Sequence, residues 1–332
     1  MFAVHLMRGV SAVLPAVVIA STIVPVTHAQ SYPVKPIRWI IPSAPGGAFD
    51  LLSRALTPQF SAGLGQSLIV ENRPAVSGIA AMEYTAKTTP DGYTILTAGN
   101  PQIVFNKFVY KKLPYDPQKD FSPISQIADL PFALWIHTDV PAKTFGELLV
   151  FAKSNPRILN YGSAGAGQAF HLAMELLKRK TGLEIVHVPY KGNGPALQDF
   201  LAGRVQAMFY PATGQMLAQM NQGKIRALAA ATDKRLDALP NVATFTELGI
   251  PDVDRDIVGW VGAFAPAGTP PAVVARLNRD LIHAANSPDM HKIYDSMNVV
   301  KVTSSSELFA QKIDRETRSW GPLIGQLNIE LD

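Results

Sequence analysis

The chain has 332 residues, 47% hydrophobic and 17% charged, which is too apolar for a disordered polymer and long enough for one large domain or two ordinary ones. Thirty Lys and Arg against 26 Asp and Glu leave +4, and the densest basic run, Lys178-Arg179-Lys180, falls at a predicted helix end where cations suit the dipole, so no nucleic-acid partner is expected. The absence of cysteine excludes disulfides, thiolate metal sites, iron–sulfur ligation, cysteine nucleophiles and a lipidated N-terminal Cys.

Residues 1–29 read as a secretory signal: Arg8, an apolar run from Gly9 to Val26, then small residues on either side of His28, with cleavage expected after Ala29. Pro15 and Pro25 argue against a membrane span there. An exported chain without disulfides suits a bacterial periplasm.

From there strand-like and helix-like runs alternate. Ile37–Ile41 reads as a strand, and Asp50 to Ser61 as a helix that Pro58 should kink or shorten. Ser67–Glu71 and Tyr93–Thr97 read as further strands. The pattern restarts after Pro123. Thr144-x-x-Glu147 is a capping box, and Leu159–Tyr161 leads into a Gly-rich loop. A helix with Ala169, Leu172, Ala173, Leu176 and Leu177 on one face then ends at Gly182. Next come strand Ile185–Val188, a short helix from Pro195, strand Val205–Phe209, helix Gln215–Gln222 and strand Ile225–Ala231. Gly259–Ala265 is a last strand, Thr269-Pro270-Pro271 opens a helix, and Ser304-x-x-Glu307 opens another, through to Leu327, that Pro322 should interrupt. The closing helices lack partners of their own, which predicts that they pack back on the first half. The chain would then cross between two lobes near residues 127 and 250.

Two loops carry the functional signal. Ser43-Ala44-Pro45-Gly46-Gly47-Ala48-Phe49-Asp50 and Ser163-Ala164-Gly165-Ala166-Gly167-Gln168 each join a strand's carboxyl end to a helix N-terminus. That junction offers unpaired N–H groups and a partial positive charge, and so favours anions. Two such loops facing one cleft would clamp a small dicarboxylate. Asp50 is expected to cap the first helix, fix its loop and accept from a ligand. Neither loop fits a phosphate cofactor: Gly162-x-x-Gly165-x-Gly167 is not a dinucleotide fingerprint. His171 could serve as a base for Ser163, although the loop lacks the nucleophile-elbow spacing, and a loop- or ligand-orienting role for His171 is preferred. No metal-ligand spacing is present, so neither metal nor cofactor is expected. Tyr190 and Lys191 end one strand and are expected to line the cleft. Asn100 and Tyr210, at other strand ends, are weaker candidates.

In order, the motifs Tyr32-Pro33-x-Lys35-Pro36-Ile37-Arg38, Pro45-Gly46-Gly47-x-x-Asp50, Val70-Glu71-Asn72-Arg73-Pro74, Pro90-Asp91-Gly92-Tyr93-Thr94, Leu113-Pro114-Tyr115-Asp116-Pro117 and His187-Val188-Pro189-Tyr190-Lys191-Gly192 resemble those of the substrate-binding proteins of tripartite tricarboxylate transporters, the Bug family. The likeness runs through nearly all of the chain after the signal. It implies an α/β, two-lobe periplasmic binding protein fold, type II-like, each lobe a mixed sheet flanked by helices, with two crossovers. Lobe 1 would be residues 30–126 and 250–332, and lobe 2 residues 127–249. It further implies a non-enzymatic receptor that holds a small organic acid with the two Gly-rich loops and delivers it, as a monomer, to membrane transporter subunits. The chain departs from the family pattern at Ser43, where an aromatic is usual, and at Tyr210, where many relatives carry Asp. An exported hydrolase using Ser163 and His171, or a sensory protein signalling to a membrane partner, are the alternatives.

Overall fold

The computed structural model describes Met1 and residues 32–251, 253, 259–327 and 329–331. Apart from Met1, the expected signal and its cleavage point lie outside the described residues.

The strands are β1 (Ile37–Ile41), β2 (Leu68–Asn72), β3 (Thr94–Gly99), β4 (Phe121–Leu130), β5 (Phe132–His137), β6 (Asn160–Ser163), β7 (Val186–Pro189), β8 (Ala207–Pro211), β9 (Ile225–Ala231), β10 (Gly259–Pro266) and β11 (Val300–Lys301). The helices are α1 (Ala48–Leu64), α2 (Ile79–Ala86), α3 (Asn106–Val109), α4 (Phe145–Ser154), α5 (Ala169–Thr181), α6 (Asn193–Leu201), α7 (Gly214–Asn221), α8 (Pro271–Ala285), α9 (Pro288–Met297) and α10 (Ser306–Leu327). They form a six-stranded sheet, β11-β4-β10-β3-β1-β2, and a five-stranded sheet, β7-β6-β8-β5-β9, within one compact unit, Pro33–Asp332.

Both sheets are mixed. In the first, β1 runs parallel to β2 and β3, while β10 is antiparallel to β3 and β4. In the second, β6 is parallel to β7 and β8, while β5 is antiparallel to β8 and β9. The register therefore puts the carboxyl ends Ile41, Asn72, Gly99 and Leu130 on one edge of the first sheet. It puts Ser163, Pro189, Pro211 and Ala231 on one edge of the second, beside the start of β5. Only Pro131 separates Leu130 from Phe132, so these two edges abut, and loops leaving them meet where ligands settle in open α/β sheets.

Helices cover the sheets as hydrophobic patterning dictates. Ile37, Trp39, Ile40 and Ile41 are fully buried, and Trp39 meets Phe60 of α1 edge-on at 5.6 Å. Half of the capping box holds: Thr144 Oγ1 accepts from Glu147 N, while Glu147 Oε2 reaches one residue further back and accepts from Lys143 N. α5 ends on a left-handed Gly182, as expected. The closing helices do pack on the first sheet. Arg276 of α8 donates to Gly63 O, and Trp320 of α10 packs on Phe105 at 4.8 Å between ring centroids.

Several expectations fail for identifiable reasons. α1 runs unbroken through Pro58, which is exposed, so the carbonyl left without a partner can turn to water. α10 starts two residues after Ser304. Ser305 Oγ accepts from Leu308 N, while Ser304 is engaged with Ser125, Gln126 and Asn278. Pro270, not Thr269, precedes α8, and the Thr269 hydroxyl donates to Pro266 O.

Candidate functional site

The two Gly-rich loops are copies of one local device. Gly46-Gly47-Ala48-Phe49-Asp50 and Gly167-Gln168-Ala169-Phe170-His171 each place an extended N-cap residue, Gly47 or Gln168, before Ala-Phe at the first two helical positions. Gly47 has no side chain to cap α1 and that of Gln168 does not cap α5, so the first amides are left for another acceptor. The residue before each N-cap is a glycine at positive φ, +84° for Gly46 and +73° for Gly167. The third helical residue reaches back to that glycine. Gly46 N donates to Asp50 Oδ2 at 2.9 Å, and Gly167 N donates to His171 Nδ1 at 3.0 Å. Each phenylalanine anchors its helix. Phe49 lies over Gly99, and Phe170 packs on Phe132 and Tyr210 at 4.8 and 5.5 Å.

Asp50 is a fixed anion. It is 2% exposed, and its Oδ1 also accepts from Arg54 Nε at 2.8 Å and Asn72 Nδ2 at 2.9 Å. Burial opposes its charge, but the hydrogen bonds from Gly46, Asn72 and Arg54 outweigh it and hold the carboxyl below the ordinary aspartate value. Asn72 also donates to Ser43 O, so this cluster shapes the loop itself. Asp50 is thus a loop clamp in the third helical position rather than the N-cap residue.

His171 is uncharged. Burial, more than any neighbour, pushes it down to about 4, and burial does the same for His187. The imidazoles stack with centroids 4.0 Å apart, and Tyr161 stacks on His187 at 4.8 Å. Ser163 is fully buried, with its Oγ 2.7 Å from His187 Nε2 and accepting from Gly165 N. This corrects the hydrolase alternative. Ser163 pairs with His187 rather than His171, no solvent reaches it, and His171 Nδ1 is occupied by a backbone amide.

Both loops converge on one turn. A Cβ on Gly78 would lie 2.8 Å from Pro42 Cβ, at the head of the first loop. Gln168 of the second donates to Ser77 Oγ, which also meets Tyr110 Oη at 2.7 Å. A Cβ on Gly167 would lie 2.3 Å from Val109 Cγ1, so the second loop packs directly on α3. Side chains thus already bridge the two sheets at the loops. Hollows of about 450 Å³ beside Arg38 and Tyr84, and about 360 Å³ between Asp129 and Arg235, open elsewhere.

Other expected residues are placed as follows. Ser43 Oγ is buried without a partner, while Ala44, Pro45 and Gly46 are exposed and Ala48 is half-buried. Ala164 and Ala166 are half-buried, and Asn100 is buried at the end of β3. Tyr190 donates its hydroxyl to Asp199, and burial followed by that carboxylate pushes it up to about 12. Lys191 is exposed. Tyr210 is half-buried and burial raises its pKa, while its carbonyl accepts from Trp135 Nε1. Sequence reasoning missed Ser77, Val109, His187, Asn72 and Arg54. Of these, Asn72 and His187 offered a signal, as members of the motifs Val70–Pro74 and His187–Gly192. Among the described residues no group of His, Cys, Asp and Glu could hold a metal ion.

Comparison with known proteins agrees with the two-sheet architecture, which is that of two-lobe periplasmic binding proteins. The sequence model described as tripartite tricarboxylate transporter family receptor matches residues 52–329. A structure described as a periplasmic transporter is 36% identical with TM-score 0.80, covering 91% of this chain and all of its own. A Rhodopseudomonas palustris protein solved with adipate is 31% identical with TM-score 0.80, covering 90% of this chain and all of its own. MatC from the same organism, with bound malate, is 28% identical with TM-score 0.76, covering 88% of this chain and all of its own.

Proposed function

Because this chain belongs to the tripartite tricarboxylate transporter receptor family, we propose that it is a periplasmic receptor that closes on a small organic acid and delivers it, unaltered, to membrane transporter subunits. The observation that carries this reading is the twinned loop: two helix N-termini with uncapped amides, leaving abutting sheet edges and reaching one turn. A carboxylate gains roughly 0.3–2 kcal/mol at such a terminus, and two termini acting on one guest favour the closed form over the open one. Relatives solved with adipate and with malate support the ligand class.

On this reading the two loops, Ser43–Asp50 and Ser163–Gln168, hold the guest through the amides that Asp50, Ser163 and His171 leave unengaged. Asn100, Tyr210 and Lys191 line the gap. The lobes, expected as residues 30–126 with 250–332 and residues 127–249, move about Pro131, because β4 keeps residues 127–130 in the first sheet, and the receptor works as a monomer after losing residues 1–29. The test is calorimetry with small-angle scattering in the presence of adipate, malate and a panel of mono- and tricarboxylates. Saturable binding, a smaller radius of gyration and an acid recovered intact support the proposal. Binding without closure removes the clamp, and conversion of the acid removes the receptor.

A further inference from the structure

Two imidazoles fasten the second loop at both of its glycines. His171 Nδ1 holds Gly167 N directly, and His187 Nε2 acts through Ser163, whose Oγ accepts from Gly165 N at 3.2 Å. Val109 blocks Gly167 on its other side, so the loop path is set by that methyl group and the imidazole together. A neutral imidazole has one acceptor nitrogen. Since Gly167 donates to Nδ1, the ring proton of His171 sits on Nε2, and a second proton could only go to Nδ1. Nδ1 would then face the Gly167 N–H as a second donor, and the hydrogen bond would be lost.

The geometry points to His171 as the positioning residue of the second loop: uncharged, it aims the loop's amides at an anion; protonated, it releases Gly167 and the grip loosens. The ligand half of this inference rests on the carboxylate-receptor reading; the loop half does not. The groups facing His171 are Glu175 and Lys178 on α5, His187 on β7 and Tyr161 on β6. Tyr161 and Lys178 both donate to Glu175 Oε1, so the one nearby carboxylate is already engaged. Burial and Lys178 keep the proton off, while Glu175 favours it. The stacked rings lie close enough that a charge on one disfavours a charge on the other.

Two variants separate acceptor from proton. His171→Asn carries Oδ1 where Nδ1 stands and does not titrate, whereas His171→Ala removes the acceptor. Adipate affinity is measured for the three proteins between pH 7.5 and 3. Because adipate itself titrates, wild type is read against His171→Asn at each pH. At pH 7.5 the Ala variant should bind about tenfold more weakly than wild type, and the Asn variant should recover most of that. Below the His171 midpoint wild type should lose about tenfold per pH unit relative to Asn. Parallel pH profiles for wild type and Asn, affinity that rises on protonation, or an Ala variant that binds like wild type would each overturn the inference. Should adipate bind none of the three, the receptor reading loses this ligand and the loop is judged alone. In ¹H–¹⁵N spectra the Gly167 amide should move with the His171 titration and stay still in His171→Asn. A Gly167 amide indifferent to that titration overturns it.

Discussion

The first loop hangs on a carboxylate and the second on an imidazole, although both hold a positive-φ glycine through a side chain four residues on. Asp50 is held in its charged form, paired with Arg54 and hydrogen-bonded by Asn72 and Gly46. His171 carries no compensating cation and remains neutral because it is buried. The same backbone shape is thus maintained by two kinds of chemistry. One is insensitive to pH and leaves an anion behind the loop; the other leaves none, at the expense of a proton-sensitive acceptor.

Substituting the two glycines should give the largest contrast. Gly167→Ala forces a residue into the left-handed region and drives its Cβ into Val109, so it should lose about 3 kcal/mol or more in urea unfolding. Gly46→Ala meets open space and should lose only the conformational strain, about 1 kcal/mol. Equal losses would show that the second loop is not packed as described.

The next contrast is in pH. His171 and His187 have pKa values lowered to about 4 from 6.5, so the unfolded chain binds more protons between those values. Stability contributed by keeping them neutral is full above pH 6.5 and drains as pH falls toward 4, by as much as about 1.4 kcal/mol per unit for each ring. Asp50 is shifted the other way for an acid, below 3.8, so its contribution survives until the pH falls below that value. Glu316, raised to about 7 by burial, gains stability as pH falls and overlaps this range, so thermal melts belong in a Glu316→Gln background. A flat profile from pH 6.5 to 4.5 there would contradict neutral, buried imidazoles.

Asp50→Ala strips Gly46, Arg54 and Asn72 of an acceptor and should lose about 2 kcal/mol, with local loosening of residues 43–47 in hydrogen exchange. Gln168→Ala is the mildest change: it removes one hydrogen bond to Ser77 and should lose about 1 kcal/mol, with exchange rising at residues 77 and 168 alone.

Much of this architecture is legible in the residues. β9 falls where its apolar run lies, Gly182 terminates α5, and the loops leave the expected strand ends. β4 is not legible, because Ser125 and Gln126 sit buried in it. Their polarity is satisfied by Ser304, Asp129 and Lys312, from α10 and from elsewhere in the chain, which no local pattern announces. The pairing of the two loops is legible, but the latch they share is not. Asp and His share no composition signal, and only the folded backbone reveals that both accept from a glycine. The partner of the Tyr190 hydroxyl is equally illegible, since Asp199 lies apart from it on α6.

The central claim is that both loops grip one acid. The most direct measurement is a ¹H–¹⁵N titration with carboxylates, following the amides of residues 46–50 and 165–171. The account predicts that both sets shift together, with one saturation curve, and that the acid is recovered unchanged. An acid that saturates while moving only one set, or neither, would contradict it.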